Sequence, residues 1–143
     1  MKFAQVSMKD RMGKKLINLD TIIHIRPTRE EGNIINGTTI YFAGTSNFCF
    51  AKESIEEILL IVKEFNCLSE ERGRGKNKVN FLELSQRNNN VLINTNLITY
   101  IVPAGNKDGD GTWIHYVGTA NSCWVQESYE QIIKMFVDLT LLN

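Results

Sequence analysis

The sequence predicts an α+β fold: a tandem repeat of two β-rich units of antiparallel strands, each ending in one amphipathic helix. Three observations carry this reading. Identities recur at a near-constant offset, apolar residues alternate as in strands, and each half closes on a capped helix start. Leu16-Ile17-Asn18, Ile22, Ile25 and Pro27 return as Leu92-Ile93-Asn94, Ile98, Ile101 and Pro103, 76 residues on. Between Gly37 and Glu64, 11 of 28 positions are identical to those 74 residues downstream, among them Gly44-Thr45, Asn47, Cys49 and Glu53-Ser54. Phe3 and Ser7 match Phe81 and Ser85 at an offset of 78. The offset changes twice, each time in a polar stretch rich in Gly or Asn, where loops tolerate deletion. The chain therefore divides into a first unit at 1–66, a linker at 67–78 and a second unit at 79–143.

Each element follows from its pattern. Residues 16–26 and 92–102 are Ile-rich and extended, with turn residues at both ends. Thr38–Ala43 and Asn47–Ala51 alternate, as do Thr112–Val117 and Asn121–Val125, and Gly44-Thr45-Ser46-Asn47 and Gly118-Thr119-Ala120-Asn121 turn each pair into a hairpin, with Gly and Asn supplying positive φ. Ser54 with Glu57, and Ser128 with Gln131, form Ser-x-x-Glu/Gln capping boxes. Ile55, Ile58, Leu59, Val62 and Phe65 then share one helical face, as do Tyr129, Ile132, Ile133, Phe136 and Val137. Glu53, Glu56, Glu57, Glu127 and Glu130 sit beside these starts, where the helix dipole favours carboxylates without any chemistry.

Composition bounds the function. At 143 residues, 43% hydrophobic and 22% charged, the chain is long enough to bury a real core. No apolar run approaches the length needed to span a bilayer, and Met1–Asp10 has no signal-peptide core. Three cysteines (Cys49, Cys67, Cys123) without a Cys-x-x-Cys spacing argue against a disulfide framework or zinc site, and fit a cytoplasmic protein with reduced thiols. The net charge is zero. Residues 79–143 carry three basic against six acidic residues, so a phosphate-binding footprint is not expected, and neither a nucleic acid nor a membrane is the expected partner.

Motifs that resemble sites have plainer explanations. Asn106-Lys107-Asp108-Gly109-Asp110-Gly111 resembles half a calcium loop, but Val117 stands where the bidentate Glu belongs. Arg72-Gly73-Arg74-Gly75-Lys76 reads as a solvated linker before it reads as a phosphate-binding arm. His24 and His115 occupy different repeat positions, opposite Tyr100 and Tyr41 in the other half, an exchange that suits half-exposed sheet positions. Cys49 and Cys123 are assigned to the core beneath the helices. No catalytic, cofactor or metal residues are assigned. Strand alternation instead places Tyr41, Phe48, Phe50, Trp113, His115 and Trp124 on the face away from the helices. Packing between the two copies is the first account of that face; what such packing leaves open is the candidate interaction surface, with a homodimer favoured over another protein partner.

Leu16, Ile17, Asn18, Ile22, Pro27, Ile40 and, at the helix start, Glu53, Ser54, Glu56, Glu57 and Ile58, with their counterparts from Leu92 to Ile132, resemble the small flagellar-associated FlbD/SwrD family, here duplicated. The resemblance implies a non-enzymatic module without a cofactor. A weaker likeness is to LytTR-type DNA-binding domains, whose His-Arg-Ser segment is absent; it implies the alternative of a nucleic-acid-binding regulator.

Overall fold

Among the described residues, extended segments that alternate apolar and polar residues pair into three antiparallel sheets, and two helices cover them, which makes the protein α+β. The structure, a computed structural model, describes residues 3–9, 12–71, 80–87, 89–105, 110–119 and 122–142. The first half contains β1 (Phe3–Ser7), β2 (Lys14–Asn18), β3 (Ile22–Arg29), β4 (Ile35–Phe42), β5 (Phe48–Ala51) and α1 (Ile55–Glu71). The second contains β6 (Phe81–Gln86), β7 (Asn89–Asn94), β8 (Ile98–Pro103), β9 (Thr112–Tyr116), β10 (Ser122–Val125) and α2 (Tyr129–Leu142). One sheet is the hairpin β1-β2, a second is β10-β9-β8, and the third runs β5-β4-β3-β7-β6 across both halves.

The ladders of the two halves match pair for pair. Ile40 faces Cys49 as Ile114 faces Cys123, and Thr38 faces Ala51 as Thr112 faces Val125. His24 opposes Tyr41 where Tyr100 opposes His115, and both first strands bulge just before that pair. Ala4 meets Ile17 as Leu82 meets Ile93. Both capping boxes form: Glu57 N–H donates to Ser54 Oγ at 3.1 Å, and Gln131 N–H to Ser128 Oγ at 3.2 Å.

The structure corrects four local expectations. The stretches 16–26 and 92–102 are each two strands, broken by short 3-10 turns at Leu19–Thr21 and Thr95–Leu97. The cause is an Asx turn: Asn18 Oδ1 accepts from Asp20 N–H and Asn94 Oδ1 from Asn96 N–H, each at 3.0 Å, which diverts the backbone from the ladder. In the β4–β5 turn Gly44 takes φ 77°, whereas Asn47 has no positive φ and its N–H donates to Thr45 Oγ1. Helix α1 continues to Glu71, so 67–71 are helical, while the Arg-Gly stretch from Arg72 and the calcium-like residues 106–109 lie outside the described residues. Ile133, which helical periodicity puts on the apolar face of α2, is exposed.

Two cores flank the shared sheet. The first joins Val6, Ile17, Ile25, Ile40, Cys49 and Ala51 to Ile55, Ile58 and Val62 of α1, and takes Leu92 from the second half. The second joins Leu84, Val91, Ile93, Ile114, Cys123 and Val125 to Ile132 of α2, and takes Ile23 from the first half. The exchange follows from the β3–β7 ladder, where His24 opposes Ile93 and Ile25 opposes Leu92. Successive residues of these strands face opposite sides of the sheet, so each strand feeds both cores. Glycine is required at Gly37, where φ is 75° and a Cβ would strike the Ala51 carbonyl oxygen. Gly111, at φ 99°, approaches the Val125 carbonyl in the same way.

Candidate functional site

The six aromatic residues picked out by strand alternation fall in two groups, and one of them, Tyr41, packs against the second core. On β4 and β5, the Tyr41 and Phe48 rings are 5.7 Å apart and Phe48 meets Phe50 edge-on at 5.3 Å. Phe48 is half exposed to solvent, while Tyr41 and Phe50 are partly covered. On β9 and β10, Trp113 and Trp124 are direct cross-strand neighbours, and His115 stacks on Tyr100 at 4.4 Å and 14°. The Trp124 ring is fixed by its indole N–H, which donates to the Asp110 carbonyl at 2.9 Å.

Arg26 of β3 lies between the groups. Its guanidinium is 5.7 Å from the Tyr41 centroid, and it also lines an open cleft of about 710 Å³ whose wall includes Trp113 and Trp124. Arg29 at the end of β3 and Arg87 in the β6–β7 turn line the same cleft. Gln86 closes its floor, donating from Nε2 to the Trp124 carbonyl at 2.7 Å and to Cys123 Sγ at 3.1 Å. Among the described residues no carboxylate lines the cleft. Three arginines thus converge in a chain of zero net charge. Sequence reasoning missed the cluster because two arginines come from the first half and one from the second. The only signal was that Arg26 and Arg29 share a strand with Pro27 between them and a Thr between Pro27 and Arg29.

Of the two histidines expected at half-exposed positions, His115 is half-buried and His24 is sealed. His24 is 2% exposed, its ring 4.6 Å from Tyr41 and 5.6 Å from Tyr116, and neither ring nitrogen has a hydrogen-bond partner. Burial, aided by the Arg26 charge, lowers its pKa to about 3. The reason is topological: β7 covers the edge of β3, whereas among the described residues β8 pairs with β9 alone, and the equivalent Tyr100 is 53% exposed. Cys49 and Cys123 lie in the cores, and burial pushes both thiols above the ordinary range, away from thiolate chemistry. Among the described residues no His, Cys, Asp and Glu cluster could hold a metal ion.

Glu53 and Glu127 have a role that the dipole does not describe. Both carboxylate oxygens of Glu53 accept from Ser7 N–H at 2.9 Å, and those of Glu127 accept from Ser85 N–H at 2.9 and 3.0 Å. Each acid ties the first strand of its half to the residue before the helix cap. No helix among the described residues is long and apolar enough to cross a membrane. No protein-family model, curated protein or solved structure matches this chain.

Proposed function

We propose that the protein is a cytoplasmic, non-enzymatic interaction module, a duplicated unit related to the FlbD/SwrD family, which associates with a second copy of itself through β2 and β8. One observation carries this reading. The ladder that joins the halves, His24 to Ile93 and Ile25 to Leu92, transposes by the 76-residue offset to Tyr100 with Ile17 and Ile101 with Leu16. β2 and β8 are both edge strands, with β1 and β9 as their respective sole partners among the described residues. Leu16 is 60% exposed where its equivalent Leu92 is fully buried. An exposed sheet edge with apolar side chains favours pairing with another strand. Two such pairings, β8 of each protomer with β2 of the other, close a twofold dimer. Lys15 and Thr99 stand where the internal seam has Val91 and Ile23, which fits an association weaker than the fold itself. The matching ladder registers support duplication, and the three free cysteines are compatible with a reducing compartment.

Light scattering on wild type, Leu16→Asp, Tyr100→Lys and Leu92→Ser tests the proposal. Wild type should have the mass of a dimer, while Leu16→Asp and Tyr100→Lys should be monomeric with unchanged circular dichroism. Leu92→Ser should instead lose about 3 kcal/mol of stability or more, because it opens a cavity in the first core. A monomeric wild type, or a dimer indifferent to both edge substitutions, refutes the reading.

A further inference from the structure

We propose that the cleft between Arg26, Arg29, Arg87, Trp113 and Trp124 binds a nucleotide, either free or within a single strand. Its base would stack on the tryptophan wall and its phosphate would lie among the guanidinium groups. Three observations converge on this chemistry. The arginines come from one strand and a turn, contributed by both halves of the chain, and meet around a single opening, with no carboxylate among the described lining residues. Planar guanidinium groups match phosphate oxygens through paired N–H donors. The buried Nε of Arg26 has no hydrogen-bond partner, so the charge that this half-buried side chain brings to the cleft is not offset at that atom. Finally, Trp113 and Trp124 are cross-strand neighbours on the wall and present indole surface beside that charge, an arrangement by which base rings are held without sequence preference.

The volume fits the same class. A cleft of about 710 Å³ falls in the range of small-molecule sites. It is open rather than enclosed, so a nucleotide within a strand can enter it as well as a free one. A base inside a duplex cannot reach the tryptophans, so duplex DNA is not the ligand. The site goes beyond self-association and is independent of it, since none of its residues belongs to β2 or β8.

The chain contains only two tryptophans, both at the cleft, so intrinsic fluorescence reads the site directly. The probes are AMP, adenosine, inorganic phosphate and a single-stranded RNA of roughly ten nucleotides, titrated into the full chain. Saturable quenching is expected from AMP, from the RNA or from both, and the stronger of the two identifies the source of the nucleotide. Adenosine should be weaker than AMP by about tenfold or more, and phosphate should compete with AMP. Arg29→Gln and Arg87→Asn should each weaken binding by about tenfold and flatten its salt dependence. Both side chains are exposed, and Asn suits the positive φ of 49° at position 87, so the fold should survive; circular dichroism checks this. No saturable quenching by AMP or RNA, adenosine binding as tightly as AMP, or arginine variants that bind like wild type would each overturn the proposal.

Discussion

His24 shows how much one residue's surroundings can differ from those of its sequence equivalent. In the second half that position is Tyr100, exposed on an edge strand; in the first it is an imidazole sealed between Tyr41, Tyr116 and the β7 backbone. Desolvation and the Arg26 charge depress the folded-state pKa from 6.5 to about 3. Between those values the unfolded chain holds more protons than the folded one, so stability rises with pH and falls on acidification below about 6.5. Lowering the pH from 7 to 5 should remove about 2 kcal/mol through this residue alone. In His24→Phe, which keeps a ring against Tyr41 but cannot titrate, that part of the pH dependence should disappear. Urea midpoints of both proteins at the two pH values provide the measurement, and equal pH dependence would refute the assignment.

The elements of each half are held together less by the helix dipole than by a carboxylate that reaches across to a strand. Glu53 accepts the Ser7 N–H and Lys52 N–H donates back to the Ser7 carbonyl at 2.9 Å, so the end of β1 is fastened beside the start of α1. Glu127, Ser85 and Gln126 repeat the arrangement, with the backbone bond at 2.7 Å. Removing the acceptor leaves a partly buried N–H unsatisfied, so Glu53→Ala and Glu127→Ala should each cost about 1–3 kcal/mol in urea unfolding. Glu53→Gln retains an oxygen and should cost less than the alanine variant; equal losses would mean that the bond to Ser7 contributes nothing. Much of the element order was legible beforehand, because alternation and capping boxes are local signals: the hairpins, the core positions of Cys49 and Cys123 and both helix starts are read from neighbouring residues. The Glu53–Ser7 contact was not legible, since it spans 46 residues and an acid next to a cap already has a local explanation. The Asx turns at Asn18 and Asn94 were present in the sequence but hidden within Ile-rich runs that read as continuous strand.

At the scale of the molecule, near-identical motifs take unequal places. Leu-Ile-Asn opens both halves, yet Leu92 is sealed in the first core and Leu16 stands in solvent. Pattern alone does not say that β3 pairs with β7 while β2 and β8 stay at edges. The difference lies in a few positions, such as Val91 against Lys15 and Ile23 against Thr99. The arginine cleft was invisible for the same reason, because it exists only once β3, the β6–β7 turn and β9-β10 meet. This seam has a thermodynamic consequence. The first core takes Leu92 from the second half, and the second core takes Ile23 from the first. Neither half can therefore lose its structure without opening a buried apolar hole in the other, so the chain should unfold as one cooperative unit, not as two tandem domains. At about 0.7 kcal/mol per residue near 60 °C, 143 residues correspond to an unfolding enthalpy of roughly 100 kcal/mol, and half the chain to roughly 50. Scanning calorimetry on Leu16→Asp, chosen so that the proposed self-association does not enter, should give a van't Hoff enthalpy near the larger figure and equal to the calorimetric one. Two transitions, or a van't Hoff enthalpy near the smaller figure, would mean that the exchanged side chains do not couple the halves. In Ile23→Ala the single transition should move to lower temperature as a whole, because the cavity forms in the second core while the substitution lies in the first half. A shift confined to part of the transition would show instead that the two cores unfold independently.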